Sequence, residues 1–409
     1  MGRSNVLVGQ SGGPTSVINS SLCGVIERAA SVGGYGTVLG MRYGIEGFLQ
    51  EWLVDLGREP PDVVAGLRST PGSALGSSRH KLTDPELPRI RELLEKHDVG
   101  TLFLIGGNDT MDTVHRIERY CRETRYPLTG IGIPKTVDND LYGTDHTPGY
   151  GSAARYIAQS VQQGGRLADD MQKVDRFVVF QTIGRDAGWL AAASALARKR
   201  SGDAPHLIYL PERPVNRAAM LDDVRATIDR LGWCFVVVGE GAQWDDGTLV
   251  SASTAEDEFS NVEFGAMGGS SAAINMHAMI SARTGYRGEF QITESLPMCA
   301  IDRASGVDLE EAYRSGEYAV DLARDGQSGV MVAMERVGGG EYAVRYTTAG
   351  LEEVAARSKP LPDEFIDAAG NGATEEFIRY ASPLVGELPT FSVLGEHSDI
   401  PKSDRRNDA

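Results

Sequence analysis

Apolar and polar positions along this chain follow two alternating regimes. Short β-branched runs that are apolar throughout are separated by longer stretches in which apolar residues return every three or four positions. The runs predict buried strands at Asn5–Val8, Thr37–Met41, Thr101–Ile105, Thr129–Ile133, Phe177–Gln181, Leu207–Leu210, Phe235–Val238 and Val330–Met334. The stretches between them predict helices near 17–32, 86–97, 110–125, 148–163, 187–199, 216–231, 268–284 and 308–325. In the second of these, Leu87, Ile90, Leu93 and Leu94 share one face, as helical spacing requires. Alternating strands and helices predict mostly parallel sheets with helices on both faces. The strands are too many for one small domain and fit an α/β chain of two doubly wound, Rossmann-like lobes. The length of 409 residues agrees, at about 150 residues per domain equivalent.

In doubly wound folds, ligands sit at the carboxyl ends of the strands. That directs attention to the loops after Val8, Ile105, Ile133, Gln181 and Val238. The first, Gly9-Gln10-Ser11-Gly12-Gly13-Pro14-Thr15-Ser16, opens a helix at about Val17. Glycines let backbone approach a phosphate, and a helix start offers free N–H groups; tight packing alone also selects such turns. The second, Gly106-Gly107-Asn108-Asp109-Thr110, again leads into a helix, where Asp or Thr could serve as an ordinary cap. The third, Pro134-Lys135-Thr136-Val137-Asp138-Asn139-Asp140, sets one cation and two carboxylates directly after a core strand. One carboxylate there can take a proton from a hydroxyl nucleophile, and a second can help hold Mg²⁺. Positioning, charge neutralisation and a base on the acceptor are what phosphoryl transfer needs.

Composition narrows the partners. With 40 bases against 57 acids the formal charge is −17, which argues against a broad nucleic-acid or anionic-membrane surface. It leaves room for a small phosphate ligand, which needs only a local pocket. Only seven of the bases are lysines, so Lys135 stands out in its motif. Cys23, Cys121, Cys234 and Cys299 have no zinc or redox spacing and are expected as buried apolar thiols. Met1–Val8 carries no leader pattern, and no run approaches about 18 apolar residues. A cytoplasmic protein is expected, with a frayed polar tail at 396–409.

The motifs QSGGPTSVIN (10–19), GSSR (76–79), GGNDT (106–110), PKTVDND (134–140), IGRDAGW (183–189) and GEG (239–241), in this order, resemble the phosphofructokinase family, specifically its pyrophosphate-dependent branch. The resemblance runs from about Asn5 to about Leu394. It implies two doubly wound lobes with the active site in the cleft between them. The donor lobe would comprise 1–149 plus about 297–349, and the sugar-phosphate lobe 150–296 plus about 350–395. It further implies that Asp138 deprotonates the sugar 1-hydroxyl, that Gly12 donates its backbone N–H to the transferred phosphoryl, and that Arg79 bridges donor and acceptor. Gly13, Gly107, Asn108, Asp109, Thr110 and Lys135 complete the implied pyrophosphate site. Thr136 and Asp140 would support the acceptor, and Asp140 with Asn108 the Mg²⁺. Ile183, Gly184 and Arg185 match the substrate loop. Glu240 matches a carboxylate that grips sugar hydroxyls. Arg176 matches an arginine that reaches the sugar phosphate from a neighbouring subunit, so a homodimer or homotetramer is implied. For Arg185 and Glu240, a surface ion pair is the alternative.

Two residues bear on the donor. ATP-using members of the family keep a small residue where Asp109 stands. A carboxylate about 4 Å from a phosphate charge costs on the order of 4 kcal/mol at an effective dielectric near 20, roughly a thousandfold. ATP users typically lack the lysine at 135, whose ammonium would neutralise the leaving phosphate. Both favour pyrophosphate. The sequence also departs from the family. Asn108 replaces an aspartate. Met298 and Glu289 stand where arginines of the sugar 6-phosphate cradle are expected, with Arg287 or Arg303 as possible substitutes if the alignment slips. Three functions follow: reversible transfer from pyrophosphate to the 1-hydroxyl of fructose 6-phosphate, in glycolysis or gluconeogenesis; the same chemistry on another sugar or polyol; or a non-catalytic sugar-phosphate-binding paralogue.

Overall fold

A computed structural model describes residues 4–78, 80–251, 271–338 and 340–394. Arg79 and the tail 396–409 therefore lie outside the described residues, as does the start of the helix expected at 268–284. In chain order the first half runs β1 (Asn5–Gln10), α1 (Ile18–Val32), β2 (Val38–Met41), α2 (Gly44–Leu49), β3 (Leu53–Asp55), α3 (Pro61–Gly66), α4 (Leu87–Lys96), β4 (Val99–Gly106), α5 (Asn108–Glu123), β5 (Thr129–Pro134) and α6 (Tyr150–Met171). The second half runs β6 (Phe177–Thr182), α7 (Trp189–Ala193), β7 (Leu207–Tyr209), α8 (Arg217–Leu231), β8 (Cys234–Gly239), α9 (Ala272–Thr284), β9 (Gly288–Ile292), α10 (Gly306–Arg324), β10 (Val330–Arg336), β11 (Val344–Gly350), α11 (Leu351–Ala356) and α12 (Glu375–Val385).

The strands form two sheets. The larger has the order β11-β10-β5-β4-β1-β2-β3, with β11 and β3 antiparallel at its edges and the rest parallel. The smaller is all parallel, β7-β8-β6-β9. Side-chain alternation explains why the central strands read as unbroken apolar runs. Val6 and Val8 of β1 pack into the layer with α1 and α10. Leu7 points to the opposite layer with α4 and α5. In the smaller sheet, Phe180 and Val237 face α6, α7 and α12, while Val179 and Val236 face α8 and α9.

All eight expected strands are present. Three edge strands, β3, β9 and β11, were not anticipated, nor were α2, α3, α11 and α12. The helix expected over 187–199 ends at Ala193 and tightens into a 3₁₀ turn, Ser194–Ala197. The division expected near residue 350 falls later, because Leu351 and Val354 of α11 are buried in the larger sheet's core. Residues from Phe365 onward pack with the smaller sheet, through Ile366 and Phe377. No helix among the described residues is long and apolar enough to cross a membrane.

Candidate active site

The loops after β1, β4 and β5 converge at the carboxyl edge of the larger sheet. Gly12 adopts φ +75, a left-handed conformation that glycine holds without strain. The turn is pinned by polar groups that sequence reasoning passed over. Gln10, fully buried, donates from Nε2 to Asn19 Oδ1 at 2.8 Å and accepts from Leu75 N at 2.9 Å. Asn19 Oδ1 also accepts from Ala74 N at 2.8 Å. Ser77 Oγ donates to Gly12 O at 2.5 Å. The segment leading to Arg79 is thereby anchored on the glycine loop. The α1 start is capped by Thr15, whose Oγ1 accepts from Ile18 N at 3.0 Å. The N-cap position of α5 is Gly107, which has no side chain to cap with, so neither Asp109 nor Thr110 is the cap residue. Thr110 is buried beneath Gly106, and Asp109 is exposed in the first turn.

Lys135 is buried, and its Nζ donates to Gly13 O at 2.6 Å. Burial lowers its ammonium to about 8; Asp138, Asp140 and Cys299 oppose that shift. Three residues on, Asp138 is partly buried, and its backbone N–H donates to Thr136 Oγ1 at 3.2 Å. Loss of water, with Asp140 nearby, pushes its carboxyl up to about 7, against the pull of Arg185 and Lys135. A carboxylate poised near neutrality is suited to general-base work. Asn139 between the two acids has φ +55. Its amide is bonded at both ends, Nδ2 donating to Tyr380 Oη at 2.9 Å and Oδ1 accepting from Thr147 N at 3.0 Å.

Asp140 accepts from Asn108 Nδ2 at 2.8 Å, while Asn108 Oδ1 is buried without a hydrogen-bond partner. An orphaned amide oxygen beside a carboxylate suits a hard divalent cation. Among the described residues no cluster of three or more His, Cys, Asp or Glu could hold a metal.

The smaller sheet supplies the opposite wall. Gly184 has φ +118, and a Cβ there would stand 4.0 Å from Asp138 Oδ1. Its N–H donates to Glu240 Oε1 at 2.9 Å. Burial pushes the Glu240 carboxyl up to about 7; the Gly184 N–H opposes, and Asp138 and Glu294 reinforce. Glu240 is thus buried and bonded to backbone, which removes the surface ion-pair alternative. Arg185 is exposed on the same loop, after the partly buried Ile183.

Several expected residues lie elsewhere. Arg176 sits before β6, at the end of the sheet opposite Gly184; its guanidinium stacks 5.2 Å from the Tyr286 ring, and its Nε is buried without a partner. Within one chain it does not meet the site. Glu289 is exposed on edge strand β9. Met298 packs its methyl against Gly13, where a Cβ would stand 2.5 Å from Met298 Cε. The Met298 methyl thus lies against the glycine loop after β1. Arg287 pairs with Asp175 at 2.9 Å, and Arg303 bonds Ser160 Oγ at 3.0 Å, so neither replaces the missing cations in this chain. Of the cysteines, Cys23, Cys121 and Cys234 are buried, but Cys299 is only partly so and lies near Lys135. The expectation of four buried thiols fails there because Cys299 lies just after Met298 on the cleft side.

The phosphofructokinase family matches residues 5–297. The pyrophosphate–fructose 6-phosphate 1-phosphotransferase of Halomonas elongata is 39% identical, over 97% of this chain and 97% of its own. The crystal structure of the pyrophosphate-dependent phosphofructokinase from Nitrosospira multiformis is 34% identical, with a TM-score of 0.86 over 95% of this chain and 94% of that one. The corresponding structure from Marinobacter aquaeolei is 35% identical, with a TM-score of 0.84 over the same shares.

Proposed function

The chain belongs to the phosphofructokinase family, and on that premise we propose that it transfers a phosphoryl group from pyrophosphate to the 1-hydroxyl of fructose 6-phosphate. The observation that carries the assignment is the pairing of Lys135 with Gly13 O at 2.6 Å. A fixed cation lies under the glycine loop, three residues from a carboxylate that titrates near 7. Asp138 takes the proton of the sugar 1-hydroxyl. The hydroxyl oxygen attacks the near phosphorus, and the bridging P–O bond breaks to release orthophosphate. Gly12 and Gly13, with Gly107, Asn108 and Thr110 opposite, cradle the donor, and Arg79 bridges donor and acceptor. Lys135 stabilises the charge on the leaving phosphate. Asp109, in the first turn of α5, repels the further phosphate of a nucleotide. Asn108 Oδ1 and Asp140 would hold Mg²⁺, which when bound neutralises phosphate charge. Thr136, Ile183, Gly184, Arg185 and Glu240 hold the sugar, and Arg176 serves a neighbouring subunit's site in a homodimer or homotetramer. Similar donor energies make the reaction reversible, in glycolysis or gluconeogenesis, in the cytoplasm. Two lobes, meeting at the cleft and each carrying one sheet, are the units that bind donor and sugar phosphate.

The test is an initial-rate panel with pyrophosphate and Mg²⁺ against fructose 6-phosphate, other sugar phosphates, and free sugars and polyols. Fructose 6-phosphate is expected to turn over fastest. Asp138→Ala is expected to lose at least about a hundredfold in kcat while retaining pyrophosphate binding. A faster rate with another acceptor would transfer the assignment to that acceptor, and no turnover with any of them would refute it.

A further inference from the structure

The chain crosses from the larger sheet to the smaller one between α11 and Phe365, through Ser358-Lys359-Pro360-Leu361-Pro362. Prolines at 360 and 362 hold the residues before them extended. This short strap is bonded on both sides. Toward the acidic turn, Ser358 pairs with Leu141 in an antiparallel bridge, and Lys359 N donates to Asp140 O at 2.7 Å. Lys359 Nζ donates to Asp145 O at 2.7 Å and to Thr144 O at 3.1 Å. Toward the sugar loop, Lys359 O accepts from Trp189 Nε1 at 3.1 Å, and the Lys359 ammonium lies 5.0 Å from that indole ring. Trp189 is the first residue of α7, directly after the Ile183–Gly188 loop. Glu212 Oε1 closes the circuit, accepting from Gly188 N at 2.8 Å and from Leu361 N at 2.9 Å.

We propose that Lys359 is a positioning residue whose ammonium fixes the separation of the Asp138–Asp140 turn from the sugar loop, through its bonds to Thr144 O and Asp145 O and its contact with the Trp189 ring, while the backbone bonds of the strap to Asp140 O and Trp189 Nε1 stay in place on substitution. The inference rests on the phosphotransfer assignment above. A base and an acceptor held on different sheets need a fixed spacing, since a misplacement of about 1 Å can cost about a hundredfold in rate. Lys359 touches neither substrate, so its loss lowers kcat and leaves substrate affinity in place.

Lys359→Met is expected to lower kcat at least about tenfold, with KM for pyrophosphate and fructose 6-phosphate within about threefold and full pyrophosphate stoichiometry by calorimetry. Trp189→Phe, which removes the indole donor together with part of a buried ring packed against Tyr150, Phe365 and Tyr380, is expected to lower kcat about threefold to tenfold. The double variant is expected to be no worse than Lys359→Met alone, because both act through one network. Folded Lys359→Met with kcat within twofold of wild type would overturn the proposal. If Lys359→Met does not fold, a Trp189→Phe kcat within twofold of wild type overturns it. The wild-type rate in the same assay tests the underlying assignment separately.

Discussion

Asp138, the base of the proposed function, illustrates the cost of burying a carboxylate at residue scale. Its carboxyl titrates near 7 in the fold, against an ordinary value of 3.8, chiefly because burial disfavours the charge. Between those values the folded state keeps a proton that the unfolded chain has lost. Raising the pH from about 4 to about 7 removes that proton, so the contribution of this group to stability falls across that window and then levels. Asp138→Asn removes the ionisable group. The variant is therefore expected to melt above wild type at pH 8, with the gap closing toward pH 4, in thermal denaturation of the metal-free, ligand-free protein. A gap independent of pH would contradict this. The positions of Gly12, Lys135 and Asp138 were legible because a strand end followed by glycines or clustered charges has few other uses. Gln10 and Asn19 were not, because an amide's function lies in long-range partners such as Leu75 and Ala74. Lys359 went unnoticed for the same reason.

At the scale of elements, α1 and α10 cross closely enough to bring backbone against backbone. A Cβ on Gly24 would stand 2.1 Å from Tyr313 O, and one on Gly316 would stand 2.1 Å from Ser21 O. Neither neighbour is a flexible side-chain end, so an added methyl forces the helices apart. Gly316→Ala is expected to destabilise the protein by roughly 1–3 kcal/mol, read as a lower urea midpoint at unchanged slope. An unshifted midpoint would mean that the crossing relaxes freely. Central strands were legible because both faces are buried and the apolar run is unbroken. Strands β9 and β11 sit at sheet edges with only partly buried and exposed residues, so the apolar signal is weak. Helix α12 carries Pro383 in its interior, which reads as a breaker in sequence. Here the proline is tolerated one turn from the helix end.

For the whole molecule, two sheets joined by crossings of the chain bring the Gly13–Lys135 loops and the Gly184–Glu240 wall face to face across Asp138. The net charge of −17 gave no hint of this, since in the proposed function phosphate affinity is built locally from backbone N–H groups, Lys135 and the start of α5. In the proposed function, what one chain leaves incomplete is the far end of the sugar site. Arg176 faces away from it, and Glu289 and Met298 stand where cations were expected. In the proposed function, the acidity that bears on donor choice is Asp109, exposed at the start of α5.

The most direct measurement is the ratio of kcat/KM for pyrophosphate to that for ATP, with Mg²⁺ and saturating fructose 6-phosphate, in wild type and in Asp109→Gly. Wild type is expected to favour pyrophosphate by at least about a thousandfold, matching the roughly 4 kcal/mol repulsion at that carboxylate. In Asp109→Gly the ratio is expected to fall, without ATP becoming a good donor. Wild-type turnover of ATP as fast as that of pyrophosphate would contradict the assignment.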